Sequence, residues 1–449
     1  MGRVVRCFIM SMFTVVSFLA NSVPLTVQHW YVDNVPVLFV ETKRSPILDI
    51  SLSFAAGSAY DPQGYSGLAS LVASLLSMGS AEKDEFQIAD KFSALGASYS
   101  ATVDADRSVI HLRTLSDSAA IDDALRVVIS FITNPSFLPD VVERQKRLMI
   151  SHLKTEKSFP SFYVKRSLYR QVYSGHPYGV MPTESSIASI SAADIKHFYD
   201  QHYNKRSLSI AIVGHVSRET SDSIVSRLLS GLHAGTRKYS LPRVRVLRGH
   251  VEKTNFLSRQ THIAMGVVAV SYDDPDYFPL LVANQAFGGD QISSRLALNI
   301  RQRKGLAYSV RTYFLPQQKK GLFGISLQTR DNRAGDAISA VKEELNRLVK
   351  DCFTDVEVSE AKERLIKDFS LRQDTSLGYL HILSLMGFYR LSPSWIDSYG
   401  AHVNSVTRDS VCKAVRSHIK LRFLSTAIVG PVNDKNSPID SNMIKSLGH

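Results

Sequence analysis

The chain is short of the residues that most often announce chemistry. It has three cysteines in 449 residues. Cys7 falls in an apolar leader, so Cys352 and Cys412 are the two left for the folded protein. Two are too few for a disulfide framework, and the absence of any Cys-x-x-Cys excludes a zinc knuckle or a redox pair of that type. Cys352 and Cys412 are expected as buried thiols, with one bridge between them as the alternative. Fourteen histidines are present, yet no two are three or four apart. The nearest pair, His197 and His202, is five apart, and a helix cannot aim that spacing at one ion. No Gly-x-Ser-x-Gly occurs, and Gly288-Gly289 follows an apolar helix rather than a strand, which excludes a phosphate-cradling loop. No apolar run reaches the roughly 20 residues of a membrane-spanning helix. The net charge of +12 is spread along the chain and accompanies none of the nucleic-acid-binding motifs, so a generally basic surface is expected and no nucleic acid.

What is present begins with "MGRVVR" and the apolar "CFIMSMFTVVSFLA", followed by small residues. That is the layout of a secretory signal over residues 1–22, and it places the mature protein outside the cytoplasm, in the periplasm. An uncleaved anchor is the alternative.

The remainder is written twice. Residues 191–216, "SAADIKHFYDQHYNKRSLSIAIVGHV", align without a gap on 407–432, "TRDSVCKAVRSHIKLRFLSTAIVGPV", with nine of 26 positions identical and an offset of 216. Each copy reads as a capped helix, then a strand, then a glycine turn. A second echo joins "ILDISLSFAAGSAYDP" (residues 47–62) to "THIAMGVVAVSYDDP" (261–275). The expected class is α+β: two homologous halves, 24–233 and 257–449, with a linker at 234–256. Each half is a largely antiparallel sheet with helices packed on it, and the two surround a cleft where a ligand would bind. Alternation in "DISLSF" suggests a sheet covered on one face.

Two stretches stand out. "GLASLVASLLSMGS" (residues 67–80) places Ser70 and Ser74 one helical turn apart. Four apart is a ligand spacing, yet serine is a poor zinc ligand. "SSRLALNIRQRKGLAYSVRTYF" (293–314) reads as a helix stopped by Gly305 and followed by a strand. Arg301 and Tyr308 sit seven apart across that turn, and both can donate to a carbonyl oxygen or a developing oxyanion. By themselves they read more readily as an exposed cationic helix end and a sheet-packing tyrosine.

Taken together, "GSAYDPQGYSGLASLVASLLSMGS", "HPYG" with "AIVGHV", and "FGG", "SSRL" and "RQRKGLAYSV" stand in an order that resembles the insulinase/pitrilysin-type inverted-zincin metallopeptidases, which include the mitochondrial processing peptidase subunits. In that family the first helix carries His-x-x-Glu-His: two zinc ligands and the general base. The resemblance puts the histidines at Ser70 and Ser74, the base at Ala73, and the third ligand near His152. It therefore implies no cofactor in this chain. An Arg-x6-Tyr segment like that of Arg301 and Tyr308 holds the substrate carbonyl in the family. The resemblance thus implies a chain inactive alone, working with a zinc-bearing homologous subunit on peptide or unfolded protein. A catalytically inert scaffold or peptide-binding protein of the same fold is the alternative.

Overall fold

The computed structural model describes residues 26–235 and 240–431; the leader read as a signal lies outside them. The first half runs β1 (Gln28–Val32), β2 (Val35–Glu41), β3 (Ile47–Phe54), α1 (Leu68–Leu75), α2 (Glu85–Ala94), β4 (Ser98–Val103) and β5 (Ser108–Leu115). It continues with α3 (Ser118–Thr133), α4 (Pro139–Glu156), α5 (Pro160–Val172), α6 (Glu184–Ala188), α7 (Ala192–His202), β6 (Leu208–Gly214) and α8 (Arg218–Ser230). The second half runs β7 (Val251–Asn255), β8 (Thr261–Val268), α9 (Tyr277–Asn284), β9 (Ser309–Leu315) and β10 (Leu322–Thr329). It closes with α10 (Ala334–Asp351), α11 (Asp355–Gln373), α12 (Ser376–Tyr389), α13 (Trp395–Ser405), α14 (Arg408–His418) and β11 (Ser425–Gly430).

Two sheets result. One has the order β1-β2-β6-β3-β5-β4, the other β7-β11-β8-β10-β9. Without β1 the orders are the same, and so are the directions. The β2–β6 and β7–β11 pairs are parallel, while the neighbours that follow are antiparallel. The duplication seen in the letters is thus a duplication of topology. It extends to the ends of elements. Ser191 caps α7 and Thr407 caps α14, each with a reciprocal bond to the third helical residue, so the same orphan amides are satisfied in both copies.

The halves are not two separate bodies in contact. α5 of the first half packs on β8 and β11 of the second, and α12 of the second packs on β2, β3 and β6 of the first. These helices occupy equivalent positions, since Pro160 and Ser376 are 216 apart (376 − 160). On α5, Val164, Leu168 and Val172 recur every four residues and join Ala264, Val268, Ala427 and Val429 in one cluster. On α12, Tyr379, Leu383 and Met386 join Leu38, Val40, Ala211 and Val213. Gly387 lets α12 approach closely, because a Cβ there would stand 2.9 Å from Leu38 Cδ1.

This exchange corrects the expectation of a sheet covered on one face. β2 and β6 are buried along nearly their whole length, on both faces. In β3 the polar members of the alternation, Asp49, Ser51 and Ser53, are no more than 2% exposed. They are satisfied instead of solvated. Ser51 and Ser53 hydrogen-bond Ser384 of α12 at 3.1 and 2.9 Å. Asp49 accepts a fork from Arg113 at 2.8 and 2.9 Å and a bond from His111 at 3.0 Å. Burial alone would raise the Asp49 carboxyl, but those bonds and charges bring it below its ordinary range.

Two further expectations are revised. The stretch 234–256 is not all linker, since β7 pairs with β11 in register Thr426–Val251 to Gly430–Asn255. Its alternation is weak because it is an edge strand with a half-exposed face. And Cys352 and Cys412 are not two thiols: they form a disulfide between the end of α10 and α14.

Candidate functional site

Helix α1 is built by its flanks. Gly67 sits at φ +106°, and Asp61 accepts from the amides of Gly67 at 2.8 Å and Ala69 at 2.7 Å, closing the amino terminus. Burial pushes the Asp61 carboxyl up to about 7 in spite of those two donors. Leu68, Ala69, Leu71, Val72 and Leu75 fill the core of the first half. Ala73 is 3% exposed, and Ser70 and Ser74 are half-buried on the remaining face. Ser74 Oγ donates back to the Leu71 carbonyl at 2.8 Å, so that side chain is turned onto its own helix. His152 is exposed on α4, which packs against α1. Two hydroxyls, a methyl and one imidazole give no three-ligand set and no base beside it. The residues present do not fit a catalytic zinc ion.

Among the described residues, one group of histidine and carboxylates lies close enough to share an ion: Asp274, Asp276 and His418. It belongs to the second half. His418 Nε2 stands 2.8 Å from Asp276 Oδ2, tying the end of α14 to the start of α9.

The segment with Arg301 is shaped differently from its counterpart. In the first half the helix before the edge strand, α2, is regular and capped by Asp84 and Gln87. In the second half, residues Ala297–Arg303 form a π-helical stretch, as do Gln285–Gly289 just before. Such widened turns leave the normal ladder unfinished and are frequent at functional sites. Leu296, Ala297 and Ile300 anchor the stretch in the core, while Arg301 faces solvent and donates to the Gln291 carbonyl at 3.2 Å. Gly305 at φ +58° then reverses the chain. Tyr308 follows at the start of the edge strand β9, its amide on Gln328 O at 2.8 Å and its side chain 51% exposed. The expected helix is therefore a wider, tethered one, and both Arg301 and Tyr308 are presented outward.

Between the halves lies a cavity of about 870 Å³. It is bounded by the two exchanged helices and by the tips of the β4–β5 and β9–β10 hairpins, with Phe162, Tyr169, Tyr272 and Leu315 among its walls. Neither Arg301 nor Tyr308 is among its lining residues, so the pair does not belong to the cleft between the two halves of this chain. The hairpin tips meet beside the cavity through Asp106. Its carboxylate accepts from Tyr178 Oη at 2.5 Å, Tyr389 Oη at 2.9 Å and Gln318 N at 2.8 Å. Burial raises that carboxyl above its ordinary range, against these donors. Next to it, Arg107 pairs with Asp104 at 3.0 Å and donates to Ser384 at 3.1 Å. No role for the tip of the β4–β5 hairpin was read from the sequence. The charged run "DADR" at its tip was the available signal, since an isolated tip does not need an arginine buried to 4% exposure.

Known proteins place the architecture. One family model, described as insulinase (peptidase family M16), matches residues 37–181. A second, described as the peptidase M16 inactive domain, matches residues 189–365 and so spans Arg301 and Tyr308. The chain belongs to the insulinase-type M16 peptidase family. A peptidase M16 inactive domain from Pseudomonas fluorescens superimposes with a TM-score of 0.87 at 29% identity, over 92% of this chain and 99% of that one. A Helicobacter pylori protease shares the fold at 16% identity, with a TM-score of 0.83 over 91% and 100% of the two chains. An uncharacterized zinc protease of Rickettsia bellii is 25% identical over 72% of this chain and 78% of its own length. The probable mitochondrial-processing peptidase subunit beta of Schizosaccharomyces pombe is 23% identical over 91% and 92%. Within this M16 family, the chain combines an α1 without zinc ligands and a second half that presents Arg301 and Tyr308.

Proposed function

We propose that this M16 chain is the non-zinc subunit of a two-chain peptidase, exported from the cytoplasm and inactive alone. Its partner is a homologous chain that carries the zinc. The single observation behind the reading is the contrast between the two halves. α1 fills its ligand positions with Ser70, Ala73 and Ser74, whereas the second half departs from regular helix to hold Arg301 and Tyr308 outward. Residues that served only packing would not be kept exposed to solvent.

An outward guanidinium and phenol act on something brought to the surface. They would donate hydrogen bonds to the carbonyl of an extended peptide held at the chain–chain interface. Charge-assisted donation of this kind strengthens as the carbonyl oxygen becomes anionic, and removing one such donor costs on the order of 10²–10³ in rate. The Cys352–Cys412 disulfide supports residence in an oxidising compartment, in keeping with the leader.

The test is co-purification of the full chain with the zinc-bearing homologue from the same organism, followed by hydrolysis of an unstructured peptide. Neither chain alone should turn over; the pair should, and Arg301→Ala in this chain should reduce kcat by about 10²–10³. Full activity in that variant would leave this chain an inert scaffold.

A further inference from the structure

Arg301 stands on a π-helical stretch, a widened turn rather than regular helix, and its direction is set by what that turn is tied to. Arg295, six residues earlier, reaches the corner between α10 and α11. Its Nε and Nη2 form a fork on Glu357 at 2.7 and 2.6 Å, and Nη2 also donates to the Cys352 carbonyl at 2.9 Å. The guanidinium lies over the Phe353 ring, 4.5 Å from its centroid. Glu357 is itself held, because the same carboxylate accepts from the Thr354 amide and hydroxyl at the cap of α11. Cys352 is fixed to α14 by the disulfide.

A second tie secures the loop in front. Asp290 accepts from the amides of Ile292 and Ser293 at 2.8 and 2.7 Å and pairs with Arg364 of α11 at 2.9 Å. That loop supplies the Gln291 carbonyl on which Arg301 rests and the Ile292 carbonyl that Gln302 reaches at 2.7 Å. Both ties therefore end on α11, and both act on the segment that bears Arg301. The Arg295–Glu357 pair is the more buried of the two, with side chains 13% and 29% exposed. A forked, partly buried arginine–carboxylate pair fixes orientation in a way that a lysine point charge does not.

We propose that Arg295 and Glu357 are positioning residues: they hold the π-helical segment so that Arg301 meets the substrate carbonyl, and the disulfide-braced α10–α11 corner is the fixed support. This inference rests on the role given to Arg301 above, and its test separates the two. The first measurement needs no partner. Hydrogen exchange of the full chain is followed in peptides covering residues 288–304, with β6 as the control. Arg295→Lys and Glu357→Gln should each speed exchange in 288–304 by about tenfold or more and leave β6 unchanged. Unchanged exchange in 288–304, or loss throughout the second half, would overturn the proposal.

The second measurement is kinetic, in the assembled pair of chains. Arg295→Lys should lower kcat at least tenfold with little change in KM. In an Arg301→Ala background the same substitution should cost nothing further, because a positioning residue acts through the group it positions. Additive losses would overturn it. Should Arg301→Ala prove harmless while the exchange result holds, the anchoring stands as a structural fact, the role of Arg301 falls, and the positioning claim falls with it.

Discussion

Leu168 belongs by sequence to the first half and by packing to the second. It is fully buried and sits with Val164 and Val172 against β8 and β11; Leu168 Cδ2 is 3.4 Å from where a Cβ on Gly266 would be. Leu168→Ala removes three carbons from a site lined by strand residues that cannot collapse inward without bending the sheet. Leu→Ala changes at such sites cost about 3–5 kcal/mol, and the rigid floor argues against the low end of the wider range. About 3 kcal/mol corresponds to roughly a hundredfold rise in the population of the opened state. The assay is native-state hydrogen exchange read by half. The expected result is faster exchange in β8 and β11, although these strands begin 93 (261 − 168) and 257 (425 − 168) residues downstream of the substitution. Leu383→Ala, on α12, should reverse the pattern and loosen β2 and β6. As a control, Leu371→Ala at a position 57% exposed should stay within about 0.5 kcal/mol. If Leu168→Ala disturbed the first half alone, the exchanged helices would carry no coupling and the two sheets would be independent bodies.

Three more outcomes are expected. Cys352 and Cys412 close a loop with a sequence separation of 60, and the chain-entropy relation for that length gives about 4 kcal/mol; the double alanine variant should lose that much in urea denaturation, and a loss below about 1 kcal/mol would show the bridge to be energetically idle. Restoring the family motif with Ser70→His, Ala73→Glu and Ser74→His should fail as a zinc site, because the carboxylate enters a position only 3% exposed at a cost of about 2 kcal/mol or more; stoichiometric zinc retained after dialysis would refute this. Asp61 has its carboxyl raised to about 7 in the fold, so the native state binds more protons than the unfolded chain between about 4 and 7, and its contribution is lost as pH rises through that window. Asp61→Asn should therefore gain stability relative to the parent from pH 4 to 7 and no further above it; a constant difference across the window would contradict the shift.

How much of this was legible beforehand follows from what each residue touches. The duplication was legible because helix caps and strand runs are local patterns, and Ser191 and Thr407 announce equivalent helices by the same chemistry. The partner of a helix is not local. Val164, Leu168 and Val172 mark a buried stripe but carry no mark of which sheet buries it, so the exchange of α5 and α12 was invisible. Its consequence misled in turn: Asp49, Ser51 and Ser53 read as the wet face of a strand, whereas Ser384, His111 and Arg113 make that face dry and satisfied. The β7 strand was hidden for the converse reason, being an edge whose residues half face solvent.

The site divides along the same line. Arg301 and Tyr308 could be singled out by type and spacing, because Gly305 marks the reversal between them. What directs Arg301 could not be. Arg295 looks like one more charge on a basic helix until Glu357 and the Cys352 carbonyl are brought to it across about sixty residues of chain. That separation matters for function as well as for reading. A donor aimed by contacts within its own helix would move with that helix. A donor aimed from α11, whose corner is braced by a disulfide, keeps its direction when the segment around it breathes. On the proposed role this chain contributes hydrogen-bond donors rather than a metal, and the direction of such a donor is the property the anchor preserves.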